Sequence, residues 1–464
     1  MSDPTPSPAR AWIGFAVALV AVFALGLLTA SVMERRVEAQ IRTPLVQIAT
    51  YESDNGKWAV NWPREHASWA KTLESTSETT HGGAKPRDLL AETPANVILF
   101  AGYAFSVDYN QARGHMHAVD DVHATGRDIS TKPATCWTCK SPDVPRLMAE
   151  MGPAAFYASK AKDLSDQVKH PIGCLDCHDP DTMALRISRP ALVEAWASQG
   201  KDIRQASHQE MRSLVCAQCH VEYYFKKEPK NYLTFPWSEG MKIEDMEKYY
   251  DANGHVDWVH PISKTPIIKM QHPDYEVYSQ GIHAYRNVSC ADCHMPYKTE
   301  GGAKFTDHHI QSPLNNIQNS CAVCHRWGEA EIRGRVTAIQ DKVAEGRHRA
   351  ELALAQVHFD ALACIQAGAS DDELKPVRDL IRRSQMRWDY VAANNGMGFH
   401  APQECQRILA AALDQAQQAR VLALRLLATK GVTAPVAYPD YSTKEKAQAL
   451  IKAIAAGQAP RLIP

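Results

Sequence analysis

Paired cysteines constrain this chain more than any other feature. Of its 464 residues 12 are cysteine, and ten of these fall into five C-x-x-C pairs: Cys136/Cys139, Cys174/Cys177, Cys216/Cys219, Cys290/Cys293 and Cys321/Cys324. At that frequency chance would give roughly 0.3 such pairs. The residue after each pair separates the chemistries open to it. It is His178, His220, His294 and His325 in CLDCH, CAQCH, CADCH and CAVCH, and Lys140 in CWTCK.

C-x-x-C-H is the covalent attachment signature of c-type haem. The two thiols add across the haem vinyl groups, and the adjoining His reaches the iron as proximal ligand. A zinc ribbon would need two matched C-x-x-C units and has no place for the following His. A thiol redox pair would need one motif beside a βαβ unit. Four C-x-x-C-H copies outweigh these readings, and a disulfide framework, on motif specificity. The chain therefore reads as a multihaem cytochrome c. CWTCK then reads as a fifth site whose proximal ligand is an amine, deprotonated through the metal and burial. A nitrogen ligand facing an open position suits a catalytic haem, whereas bis-ligated haems can only act as wires.

Composition enters as a set of exclusions. With 45% hydrophobic and 22% charged residues, the chain is not a polytopic membrane protein, a collagen or a disordered polymer. Its formal net charge of −1 leaves no electrostatic footprint for nucleic acid. Residues 11–31 carry no charge and are flanked by Arg10 and by Glu34, Arg35 and Arg36. That run has the length of a spanning anchor. It also suits a cleaved secretory signal, with Leu28-Thr29-Ala30 as a loose cleavage site. Both readings stay open, and both export the chain.

Residues 1–44 are thus a signal or anchor with a spacer. Residues 45–329 form an irregular core, rich in Pro, Gly, Tyr and Trp, that needs cofactors to fill it. Residues 330–464 form a helical region packed as one compact domain with that core. Ser370 and Glu373 make a capping box, after which Leu374, Val377, Ile381, Trp388 and Val391 recur at helical spacing. Pro402 suits the first turn of the next helix. Leu409, Leu413, Ala416, Ala419, Ala423 and Leu427 form its stripe, and Gly431 its stop. Cys364 and Cys405 read as buried small hydrophobes, with a disulfide between them as the alternative. The fold class is mainly α: an irregular multihaem core with long C-terminal helices and little β.

The chain resembles the pentahaem, ammonia-forming cytochrome c nitrite reductases from about residue 95 to about residue 450. The stretches that carry the likeness are GYAFSVDYNQARGH (102–115), CWTCKSPDVPRL (136–147), CAQCHVEYYF (216–225), KTPIIKMQHPDYE (264–276), GIH (281–283), TDH (306–308) and STKEKAQ (442–448). The resemblance implies five haems c and six-electron reduction of nitrite to ammonium at the Lys140-ligated haem. It implies a catalytic trio of Arg127, Tyr223 and His272, with Arg113 as the alternative arginine. Nitrite is an anion whose N–O bonds break as its oxygens are protonated, so a cation, an imidazole and a phenol suit it.

The same resemblance places calcium on the Glu222 carboxylate, the Gln271 amide oxygen and the Tyr223 and Lys269 carbonyls, hard oxygen ligands of the kind calcium takes. It assigns His308 as distal ligand to the CLDCH haem, His115 to CAQCH, His400 to CADCH and His283 to CAVCH. It further implies a periplasmic homodimer, tethered to the inner membrane if residues 11–31 persist. Its electrons would come from a quinol-oxidising membrane haem subunit or a soluble multihaem cytochrome. A pure electron-transfer cytochrome and a related hydroxylamine or sulfite reductase are the alternatives.

Overall fold

The computed structural model describes residues 8–40 and 44–464; residues 1–7 and 41–43 of the signal and spacer segment lie outside the described residues. The chain divides into two compact units, one ending at Gln47 and the other spanning Ile48–Pro464. The first unit contains helix α1 (Pro8–Gln40). Its stretch Pro8–Arg35 has a mean hydropathy of 2.5. Twenty-eight residues rising about 1.5 Å each exceed a hydrocarbon layer of roughly 30 Å. By length and composition the helix fits a signal or a membrane anchor.

The second unit is mainly α. Its sheets, among the described residues, are separate two-stranded antiparallel hairpins. One of them pairs Tyr224–Lys226 with Tyr232–Thr234. Several helices before residue 329 are short because a C-x-x-C motif needs only a single turn. In CADCH, Ser289 Oγ accepts from Asp292 N (3.2 Å) while Asp292 Oδ2 accepts from Ser289 N (2.8 Å). In CLDCH, Asp176 Oδ2 accepts from Gly173 N (2.8 Å), and its other oxygen meets the buried Arg189 at 2.5 Å. In these two motifs the Asp before the second Cys is thus a cap, satisfying donors that a helix start leaves orphaned. Residues three apart lie on one face of a helical turn, so each turn presents both thiols together. Gly173 has no side chain because Asn55, whose Oδ1 accepts from Cys174 N (2.9 Å), occupies the place of a Cβ.

One motif differs from the others in exposure. In CAVCH, Cys324 is exposed, whereas the other nine motif cysteines are partly buried. Val323, His325 and Trp327 are exposed with it. The cause is local. Cys321 packs on a small cluster of Leu314, Ile317, Ile332 and Val336, and the chain then turns outward. Val323 stands where CLDCH and CADCH carry their capping Asp, and the turn Cys321–Val323 is a 3₁₀ helix without a side-chain cap. The turn thus holds one thiol against that cluster and leaves the other exposed.

Other elements bear on the site: α2 (His208–Ala217), which runs into CAQCH; α3 (Asp274–Ser279); and the long C-terminal set. That set is α4 (Glu329–Gln366), α5 (Asp371–Ala392) and α6 (Pro402–Thr429), which pack on one another, followed by α7 (Lys444–Ala455). Ser370 and Glu373 cap α5 reciprocally at 3.2 and 2.7 Å, a contribution of about 1 kcal/mol. Pro402 opens α6, where its missing N–H costs nothing. Leu409, Ala416, Ala419, Ala423 and Leu427 are buried along α6. Gly431 ends it with φ +79°, a conformation open to glycine without steric penalty. Helix α7 has no counterpart in the periodicity reading. It is capped by Thr443, whose Oγ1 accepts from Lys446 N at 3.3 Å. Cys364 and Cys405 are buried and unbridged, and Cys364 Sγ donates to Ala423 O.

The long helices reach into the core. Asp389 of α5 accepts from buried Lys269 Nζ at 2.8 and 2.9 Å and from Met270 N at 2.8 Å. The loop after α5 carries His400 against Gly281, where a Cβ would collide with the His400 carbonyl.

Candidate active site

Each C-x-x-C-H histidine faces a second histidine. Ring centroids lie 6.1 Å apart for His178 and His308, 6.4 Å for His220 and His115, 6.3 Å for His294 and His400, and 6.3 Å for His325 and His283. Two imidazoles bound to one metal, each at about 2 Å, would have centroids about 6 Å apart. The exposed CAVCH site thus keeps the same facing pair as the buried ones. Several of the rings are also held in the tautomer that ligation needs. Nδ1 of His178, His294 and His308 donates to the carbonyls of Met183 (2.9 Å), Gln311 (2.9 Å) and Thr306 (2.8 Å). A carbonyl only accepts, so the proton sits on Nδ1 and Nε2 keeps its lone pair. Burial pushes His115 down to about 3 and His178 and His294 to about 4, so these rings stay neutral. Opposed lone pairs beside paired thiols fit covalently attached haem.

CWTCK differs from the other four. Lys140 N bonds to Trp137 O (2.9 Å), a tighter turn than the Cys-to-His bond in CLDCH, CAQCH and CAVCH. The Lys140 side chain has no hydrogen-bond or ion-pair partner among the described residues. His115 and His272 both feel its charge. Tyr223 sits beside the same motif: burial first, then the nearby Cys139 and Cys136 thiols, push its phenol well above its ordinary range. Its ring stacks on Phe225 at 5.7 Å.

Arg127 reaches the motif through Cys136, whose thiol it influences. Its Nε donates to Thr125 Oγ1 (3.0 Å), and its guanidinium lies 4.6 Å from the Phe105 centroid. No carboxylate pairs with it among the described residues. Arg113 is bound to Asp121 at 2.6 Å, so its charge is already matched.

His272 lies 4.6 Å from His220, ring to ring. Its Nδ1 is 3.3 Å from Asp274 Oδ2, and its Nε2 is 3.4 Å from Asn395 Nδ2. Burial drives it down to about 4 against the pull of Asp274. His220, His272 and Asp274 bring ligand-type atoms within 4.8 Å of one another. That cluster lies on the Nδ1 side of His220, opposite the lone pair that faces His115, so it braces the two rings.

The oxygen donors for calcium come from two loops tied by one bond. Glu222 Oε2 accepts from Gln271 N (2.6 Å), and Oε1 accepts from Tyr250 OH (2.9 Å). The Gln271 amide lies 3.5 Å from the Lys269 carbonyl, and Tyr223 adjoins Glu222 in sequence. Glu222 is fully buried, and burial pushes its carboxyl well above the usual range. Lys269 spends its ammonium on Asp389. A divalent cation would supply the missing positive charge, so the donor set fits calcium.

Several residues at the site are given no role by the sequence. Phe105 lies under Arg127, and Gln271 acts on the Tyr103 phenol. Asp274, Asn394 and Asn395 gather around His220 and His272. The motifs also feel one another: Cys139 and Cys219 shift each other's ionisation, as do Cys216 and Cys290. CWTCK, CAQCH and CADCH are therefore neighbours. Intact-protein mass spectrometry is expected to show five covalent haems per chain, and four in a Cys136→Ser, Cys139→Ser variant.

Comparisons with known proteins bear on the family and the fold. The family described as cytochrome c552 matches residues 54–459. A cytochrome c-552 of Parabacteroides distasonis is 51% identical over 451 residues, covering 95% of this chain and 91% of that protein. One from Porphyromonas gingivalis is 50% identical over 452 residues, with the same coverage. A solved cytochrome c nitrite reductase catalytic subunit from Desulfovibrio desulfuricans, described with two calcium sites, superposes with a TM-score of 0.78. It is 33% identical, over 82% of this chain and 88% of that one.

Proposed function

The chain belongs to the cytochrome c552 family, and from that premise we propose that it is a periplasmic enzyme reducing nitrite to ammonium at a haem held by Cys136, Cys139 and Lys140. In coarser terms it is a nitrite-reductase-like multihaem cytochrome. One observation carries the finer reading. Every C-x-x-C-H histidine is faced by a second imidazole, while the CWTCK motif is attended by Tyr223, by His272 and by a guanidinium that no carboxylate among the described residues neutralises.

When bound, the haem supplies electrons and an iron for the nitrogen end of nitrite. The residues do the rest. Arg127 attracts the anion and holds its oxygen ends through the guanidinium fork. Phe105 and Thr125 keep that fork oriented. Each N–O bond breaks as its oxygen leaves as water, so protons must arrive with the electrons. His272 Nε2 and the Tyr223 hydroxyl are the groups that move them. Glu222, Gln271 and the carbonyls of Tyr223 and Lys269 would hold calcium, whose charge would offset the buried carboxylate. His178/His308, His220/His115, His294/His400 and His325/His283 would hold the four wire haems. Electrons come from a quinol-oxidising membrane haem subunit or a soluble multihaem cytochrome. Leu352, Val421 and Leu424, left exposed on α4 and α6, suit a homodimer contact.

Ligand spectroscopy on the resting protein tests the proposal. One of five irons is expected to bind cyanide, nitrite or hydroxylamine, and the other four to remain low-spin and unresponsive. Lys140→His rebuilds C-x-x-C-H, so five haems should remain attached while nitrite reduction falls, because amine and imidazole tune the iron differently. Five irons that ignore added ligand would leave an electron conduit in its place.

A further inference from the structure

The Nδ1 hydrogen bonds divide the C-x-x-C-H imidazoles into two kinds. His178 and His294 donate to backbone carbonyls, Met183 O and Gln311 O. His220 donates to a carboxylate, Asp274 Oδ2, at 3.0 Å. That carboxylate is buried and held from all sides. Its Oδ1 accepts from Asn394 Nδ2 and Asn395 N, both at 2.7 Å, and its Oδ2 also accepts from Asn395 Nδ2 at 3.0 Å. The same Oδ2 lies 3.3 Å from His272 Nδ1. The backbone repeats the link, since Tyr275 N donates to His220 O at 3.0 Å and Asp274 N to His272 O at 2.7 Å.

We infer that Asp274 is a shared positioning residue: it makes His220 the most strongly donating of these three axial imidazoles and fixes the ring of His272 from the same oxygen. This rests on the haem assignment of CAQCH and on the role proposed for His272. A carboxylate accepts a hydrogen bond more strongly than a peptide carbonyl. It draws the Nδ1 proton, raises the basicity of Nε2, and so favours the oxidised iron. Its own negative charge, in a site of low dielectric, acts in the same direction. The amide donors from the end of α5 keep it immobile and acceptor-only. The His220 ring lies 4.6 Å from that of His272, and the Lys140 charge acts on both His272 and His115, so the haem tuned in this way adjoins the CWTCK site. It would hand electrons to that site with a larger driving force than a carbonyl-braced haem could.

Spectroelectrochemical titration of the full holoprotein tests this without nitrite. Asp274→Asn is expected to shift one midpoint potential upward and leave the other four in place, with five haems retained by pyridine haemochrome assay. Asp274→Glu, which keeps the charge, should hold that potential close to the parent. Five unmoved potentials in Asp274→Asn overturn the inference, as does an equal upward shift in Asp274→Glu. If Asp274→Asn fails to take up haem, Asn395→Ala serves instead. It strips one donor from the carboxylate, strengthens its pull on His220, and should move the same potential downward; no movement again overturns the inference. A parent protein that reduces no nitrite yet shows these shifts would sink the proposed activity alone.

Discussion

Nitrite turnover is expected to fall about 10²–10³-fold in Arg127→Ala, the cost of removing a preorganised donor from a developing negative charge. Arg113→Ala is expected to stay near the parent rate, because Asp121 already pairs that guanidinium at 2.6 Å. Arg127→Lys should recover only part of the loss. An ammonium restores the charge but not the flat fork that spans two oxygens or stacks on Phe105. The check is ammonium produced under reduced-viologen assay, with haem content measured alongside. The reverse ranking of the two alanine variants would give the substrate-binding role to Arg113.

The other large effect concerns proton delivery. His272→Asn should lower turnover by about 10²–10⁴-fold, the span of a positioned acid–base group, with five haems still attached. Tyr223→Phe should cost more than about tenfold on the same argument, and its stacking on Phe225 keeps the ring in place without the hydroxyl. The two variants separate from Lys140→His in the resting spectrum. Neither side chain is an iron ligand in the proposed site, so their ligand-free spectra should match the parent. Loss of haem, or an altered resting spin state, in His272→Asn would overturn a proton-transfer role.

What could be read from the sequence follows from how locally each feature is encoded. C-x-x-C-H writes both thiols and the adjoining histidine into five successive residues, so CLDCH or CADCH announces itself. Ser370 and Glu373 announce the start of α5 in the same way, and Gly431 the end of α6. Depth is not local, and Cys324 shows it: CAVCH spells the same motif as its buried counterparts yet lies at the surface. The facing imidazoles are not local either. His308 and His400 lie far along the chain from His178 and His294, and family likeness, not spacing, nominated them. Asp274 lies within the KTPIIKMQHPDYE stretch that carries the likeness, but no role came with it. It sits 54 positions from His220 and 121 from Asn395, and an Asp two residues after a His looks like any solvated acid. The short helices of the first half escaped for a further reason. Most run for only one or two turns, too few residues for a 3.6-residue period to register.

The meeting of thiols from different motifs has a consequence for biosynthesis. Cys139 and Cys219 shift each other's ionisation, as do Cys216 and Cys290. In an oxidising compartment such neighbours invite disulfides that link one motif to the next. Once formed, these would block attachment at three sites, because each of the two bridges consumes thiols from two motifs. A chain that collapsed to this arrangement before modification would therefore trap itself. For a chain exported as proposed above, the polypeptide would have to stay reduced until its thioether bonds are made.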